Sequence, residues 1–202
     1  LLASLGQQAS HSRSVVRNLR GLLGDLPGTV AEVERITPIL EESGMVVQRR
    51  EGAEITESPL EWEDAPAILH LGTHGVFLPQ SFDEEAGSNP FVNLVDPMAM
   101  SFVALTGADQ TLEAWEKGQV PDPRGDGVVL AAELANLNLQ GTRLVVLSAC
   151  QTGLGDVVEG EGVFGMKRSL RQAGAENLVT TLWNISDAGT GEVMEQFYRE
   201  LS

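Results

Sequence analysis

Arg143-Leu144-Val145-Val146-Leu147-Ser148-Ala149-Cys150-Gln151-Thr152-Gly153 is the stretch on which the fold turns. Arg143 to Ala149 is the strongest strand signal in the chain, a short apolar run without helical spacing. It ends in a small polar turn and then a glycine-rich loop to Gly162. Val163, Met166 and Leu170 next mark a helix that Gly174 closes, and Leu178–Leu182 reads as another strand. The tail from Thr190 to Leu201 is amphipathic through Val193, Met194, Phe197, Tyr198 and Leu201.

Upstream the same alternation recurs. Leu1–Leu5 reads as a first strand, and Leu26-Pro27-Gly28-Thr29 as a turn. Val30, Val33, Ile36, Ile39 and Leu40 then follow at three- and four-residue steps, a helix buried on one face and ended by Gly44. Met45–Val47 is a second strand, and Ala67–Leu71 a third that stops at Gly72-Thr73-His74-Gly75. Val128–Leu134 reads as helical. Between them, residues 76–125 hold Pro79, Pro90, Pro97, Pro121 and Pro123. That segment reads as a long, partly mobile insertion with one strand at Ser101–Leu105. Strands alternating with helices predict one α/β domain over residues 1–202 with a mainly parallel sheet.

Composition bounds the function. With 202 residues, 42% hydrophobic and 21% charged, the chain is sized and composed for one packed domain. Thirteen basic residues against twenty-nine acidic ones give a net charge of −16. That excludes a phosphate-backbone binder and docking on an anionic membrane, and admits a basic partner or substrate. The acidity is uneven: residues 1–50 hold six Arg against five acids, and residues 51–202 hold seven bases against twenty-four. From Glu51 to Asp64 there are six acids and no base, which reads as a solvated stretch. A lone Cys150 forms no intramolecular disulfide and points to a reducing compartment rather than secretion. The start of the chain inside an apolar run reads as a piece of something longer.

Two segments carry chemistry. Each ends a buried strand with a reactive side chain in a glycine-containing turn: His70-Leu71-Gly72-Thr73-His74-Gly75, and Leu147-Ser148-Ala149-Cys150-Gln151-Thr152-Gly153. In parallel α/β sheets, sites form where loops converge at the carboxyl ends of strands. A His and the only Cys at two such ends suit a thiol nucleophile and its base, although 76 residues separate them. The bland alternative is a small buried Cys beside a His that bonds a carbonyl. His70 alternates with His74 along the strand and reads as a core or supporting histidine. With His11, His70 and His74 beside one Cys, no structural-zinc ligand set exists, and no cofactor is expected.

These residues resemble the CHAT domain, a caspase-like module often attached to tetratricopeptide repeats and related to caspases, separases and gingipains. The resemblance runs through Leu26-Pro27-Gly28-Thr29 with Glu32 and Glu34, the two motifs above, Gly160-Glu161-Gly162-Val163, Leu182-Trp183 and Phe197-Tyr198. It implies a three-layer α/β/α caspase-like sandwich and a cysteine endopeptidase acting on proteins. On the family's dyad positions stand His74 and Cys150, with the backbone N–H groups of Gly75 and Cys150 as the oxyanion hole. Asp156, beside Glu159 and Glu161, is the candidate for recognising a basic substrate residue, and Trp183 and Asp187 for lining the pocket. The family context also implies regulation by an attached or partner domain, and the insertion is the candidate activation-sensitive element.

Two other readings compete. One is a non-catalytic scaffold in which the dyad is present but the domain mainly binds partners. The other is nucleotide binding, because Gly160-Glu161-Gly162-Val163-Phe164-Gly165 matches G-x-G-x-x-G and Asp187 lies 22 residues on. That fingerprint needs its first glycine directly after a strand, and ten residues separate Ala149 from Gly160.

Overall fold

Leu144, Val145, Val146 and Leu147 are all buried, because the strand that carries them is covered on both faces. The structure is a computed structural model. It describes residues 13, 16–55, 60, 64–77, 98, 101–119, 125–153, 161–180 and 187–201, with the backbone alone at 77, 150–153, 161–163 and 187–188. In chain order these form α1 (residues 16–20), α2 (Pro27–Glu42), a 3-10 turn (Gly52–Glu54), β1 (Ile68–Phe77), β2 (Ser101–Ala104) and α3 (Ala108–Glu116). Then come β3 (Val128–Leu130), α4 (Ala131–Leu134), β4 (Leu144–Gly153), α5 (Glu161–Ala173), β5 (Leu178–Thr180) and α6 (Asp187–Leu201).

The five strands make one sheet in the order β3-β2-β1-β4-β5. Alternation along the strands divides the core into layers. On one face Leu69, Val103, Val129, Val145, Leu147 and Ala149 pack with Leu134 of α4 and with Met166, Leu170 and Ala173 of α5. On the other, Leu144 and Val146 meet Ile36, Ile39 and Leu40 of α2 and Met194 and Tyr198 of α6. Farther along that second face, Leu19 of α1 and Ala108 and Leu112 of α3 cover Val76, Phe102 and Val128. The result is an α/β fold with a central sheet between helical layers, consistent with a caspase-like sandwich.

Several expectations change. The sheet is mixed rather than mainly parallel: β1–β4 and β4–β5 are parallel, but β1–β2 and β2–β3 are antiparallel. Direction is invisible in the residues because Ser101, Phe102, Val103 and Ala104 are all buried, and such a run looks the same in either sense. The expected irregular insertion contributes the end of β1, all of β2 and, unforeseen, α3. Val128–Leu130 is a strand, with the helix confined to Ala131–Leu134. Its entry needs Gly127, whose φ of +77° favours glycine and whose carbonyl accepts from Leu105 N–H at 2.7 Å. A Cβ there would lie 2.4 Å from Ala108 N.

Met45–Val47 is not a strand: Val46 is 94% exposed, and Met45 and Val47 pack against the α2–α6 layer without entering the sheet. Leu1–Leu5 lies outside the described residues. The α2 helix ends before Gly44 and α5 before Gly174, as their glycines predict. The buried stripe of α2 is rotated, however. It is Glu32, Ile36, Ile39 and Leu40, whereas Val30 is 40% exposed. A carboxylate has taken a core position.

Candidate active site

β1 and β4 do not stop where their motifs turn glycine-rich. They run together in parallel register from Ile68↔Leu144 to Phe77↔Gly153, and within this ladder His74 is the partner of Cys150. Gly72 and Gly75 lack positive φ and stay extended, held between β2 or α2 on one side and β4 on the other. Neighbouring strands lie about 4.8 Å apart, so the two residues are adjacent across the middle of the sheet. The 76-residue separation in sequence is closed by one ladder.

His74 is oriented from the α2 side. Its Nε2 lies 2.7 Å from the Gly24 carbonyl, so that nitrogen carries the proton and donates it. Nδ1 is buried and has no hydrogen-bond partner among the described residues. A neutral imidazole fixed in this tautomer presents a lone pair at Nδ1. Gly24 itself is tethered through the segment before it. Arg20 donates to Asp109 Oδ1 at 2.8 Å and Glu113 Oε2 at 3.2 Å, and Arg17 to Glu116 Oε1 at 2.7 Å, all on α3. The hydrogen bond to Asp109 pushes the Arg20 guanidinium above its ordinary range, and Lys117 with Arg20 holds the Glu113 carboxyl below its own. Leu19, buried against Val76 and Phe102, adds apolar anchorage.

Beneath this pair lies a buried polar cluster. Glu32, 1% exposed, has Oε1 2.8 Å from His70 Nε2 and accepts from Ser148 Oγ on Oε2 at 3.0 Å. His70 Nδ1 lies 3.0 Å from the hydroxyl of Tyr198, which is fully buried. Tyr198 donates to His70 Nδ1 and Ser148 O–H donates to Glu32 Oε2, while His70 Nε2 and Glu32 Oε1 stand at ion-pair distance without hydrogen-bond geometry. Burial first, and then the charge of Glu32, push the Tyr198 phenol well above its usual range, so it remains a donor. Of these four residues the sequence marked only His70 as a supporting histidine. Glu32 carried one signal, an acid one turn before Ile36 on the apolar stripe of α2.

The remaining expected site residues are distributed differently. Gly75 is buried in the ladder, opposite Val103 of β2 and Gln151 of β4. Asp187 is the first residue of α6. Asp156 and Trp183 lie outside the described residues, as does Gly160 of the glycine motif. Among the described residues there is no group of three or more His, Cys, Asp or Glu side chains able to hold a metal ion. Nor is any described helix long and apolar enough to cross a membrane.

No curated protein and no solved structure matches the chain. A family model does, the one described as the CHAT domain, over residues 3–202. With nearly the whole sequence matched and a central α/β sheet that sets His74 beside Cys150, the chain belongs to the CHAT domain family.

Proposed function

We propose that this domain is a cysteine endopeptidase in which Cys150 is the nucleophile and His74 the acid–base group. The observation that carries the reading is the parallel register pairing His74 with Cys150, together with a His74 whose Nε2 donates to Gly24 and whose Nδ1 has no hydrogen-bond partner among the described residues. Nδ1 takes the thiol proton, and the thiolate attacks the scissile carbonyl. As the tetrahedral intermediate collapses, the imidazolium returns its proton to the leaving amine, giving a thioester. Water, deprotonated by the same nitrogen, then releases the acid and restores the thiol. The Gly24 carbonyl stabilises the imidazolium by accepting from Nε2–H throughout.

The backbone amides of Gly75 and Cys150 are the proposed oxyanion donors. Asp156, Trp183 and Asp187 are the proposed substrate-binding residues, with Asp156 selecting Arg or Lys before the cleaved bond. The substrate is a protein in the cytoplasm. An attached or partner domain, of tetratricopeptide-repeat type in the family, supplies the activation.

An electrophilic thiol probe tests the chemistry. Labelling of the folded chain is expected to vanish in Cys150→Ala and to fall about 10²-fold or more in His74→Ala, as for loss of a general base. Labelling confined to denatured protein would favour a non-catalytic interaction module instead. Cleavage of a proteome-derived peptide library, read by mass spectrometry, tests specificity; a preference for Asp, or a basic preference unchanged in Asp156→Ala, overturns the assigned pocket.

A further inference from the structure

Three contacts tie the α2 side of the molecule to β1 in order. Gly24 meets His74 just before α2 begins. In the first turn of α2, Thr29 sits over Gly72 so closely that an added Cβ would lie 3.3 Å from Thr29 Cβ. One turn later Glu32 meets His70. The helix therefore descends β1 as the residue numbers of β1 fall, and its position along the strand sets where the Gly24 carbonyl stands. Apolar packing through Ile36, Ile39 and Leu40 holds the helix down but is non-directional. A slide of about 1 Å, less than the helical rise of one residue, takes a 2.7 Å hydrogen bond out of range.

Among the described residues, Glu32 is the buried polar side chain by which α2 reaches both strands. Its two oxygens reach β1 through His70 and β4 through Ser148, the strands that carry His74 and Cys150. Ser148 is itself the register partner of Gly72, so the clamp lies one same-face step below the His74–Cys150 pair. From behind, α6 closes the cluster with Tyr198, and it crosses α2 at Gly191, where a Cβ would lie 3.6 Å from Glu32 Cα. Apolar residues of similar size would fill this space at no desolvation cost, so stability alone does not account for a charge here.

We propose that Glu32 is a positioning residue: by accepting from Ser148 and standing at ion-pair distance from His70 it fixes α2 along β1 and so holds the Gly24 carbonyl on His74 Nε2. Its value to catalysis rests on the peptidase reading; its effect on His74 does not. Glu32 touches neither His74 nor a substrate. It acts through the placement of Gly24, which keeps the His74 proton on Nε2 and leaves Nδ1 bare.

The test reads His74 directly. In the ¹⁵N-labelled full chain, long-range ¹H–¹⁵N correlations report the His74 tautomer, and iodoacetamide reports the reactivity of the single cysteine. The native chain is expected to show Nε2–H. In Glu32→Gln that tautomer is expected to lose its dominance and alkylation to slow by about 10²-fold, the scale of a 1 Å misplacement. Tyr198→Phe, which leaves the contacts of Glu32 with His70 and Ser148 in place, is expected to keep the tautomer and stay within twofold in alkylation. A combined Glu32→Met, His70→Leu, Ser148→Ala and Tyr198→Phe chain leaves no orphaned charge and should stay folded, yet lose the tautomer. A His74 that remains Nε2–H in both Glu32 variants overturns the proposal. So does unfolding of the combined variant, which would make the cluster a requirement of the core. If the native chain cleaves no peptide and resists thiol probes while its His74 tautomer still follows Glu32, the peptidase reading fails and the positioning role stands.

Discussion

The two faces of the sheet share their strands but are held by different forces. Against α4 and α5, the residues of β1, β2, β3 and β4 bury a mainly apolar set, from Leu69 and Val103 to Leu147 and Ala149, with Ser101 of β2 on the same face. Against α2 and α6, the next residues along the same strands include His70, His74 and Ser148, answered by Glu32 and Tyr198. Apolar burial is strong and tolerant of small shifts, whereas hydrogen bonds are weaker in net terms and exacting in geometry. One face supplies stability; the other supplies position.

This division is open to measurement. The largest stability loss belongs to the apolar face: Leu170→Ala, fully buried on α5, is expected to cost about 3 kcal/mol in urea unfolding. Cys150 alkylation in the still-folded variant is expected to be unchanged; a large fall there would mean that the faces are not separable. On the polar face Ser148→Ala leaves a Glu32 oxygen unpaired and is expected to cost about 2 kcal/mol. It should also slow alkylation, which Leu170→Ala does not.

Gly72→Ala adds a methyl at 3.3 Å from Thr29 and requires α2 to yield by a few tenths of an ångström. The expected cost is about 1 kcal/mol, with a measurable loss of the Nε2–H tautomer at His74 by NMR. A neutral effect on the tautomer would show that α2 tolerates more movement than the His74–Gly24 bond implies. The smallest effect is that of pH. Lys117 and Arg20 hold Glu113 below the usual 4.5, and Arg199 and Arg35 do the same for Glu195. Depressed carboxyls stabilise the fold above that usual value and lose the contribution as pH falls through their folded values. The urea midpoint is therefore expected to be flat in these pairs from neutral pH to about 5 and to decline below, less steeply in high salt. A decline already complete near pH 6 would point to another group.

Much of the parallel half was legible. The apolar run of β4 and the glycine closing α5 predicted strand and helix, because burial pattern and turn chemistry are local, and the family resemblance of the His-Gly and Ser-Ala-Cys motifs implied that His74 and Cys150 meet. The antiparallel half was not. Three residues at Val128–Leu130 run into the helical Ala131–Leu134, and only the ladder to β2 makes them a strand. The burial of Glu32 was not legible for a related reason: only His70 and Ser148, brought from two strands, compensate it.

By itself, then, the sequence determined the α/β class, the glycine-marked ends of α2 and α5 and the two residues with reactive side chains. Periodicity, glycine and side-chain chemistry are properties of neighbours along the chain. Only the tertiary structure decided the strand directions, the rotation of α2 that buries Glu32, and the Gly24 carbonyl that selects the His74 tautomer. Those depend on groups 24 to 128 residues apart that meet only once the sheet is built.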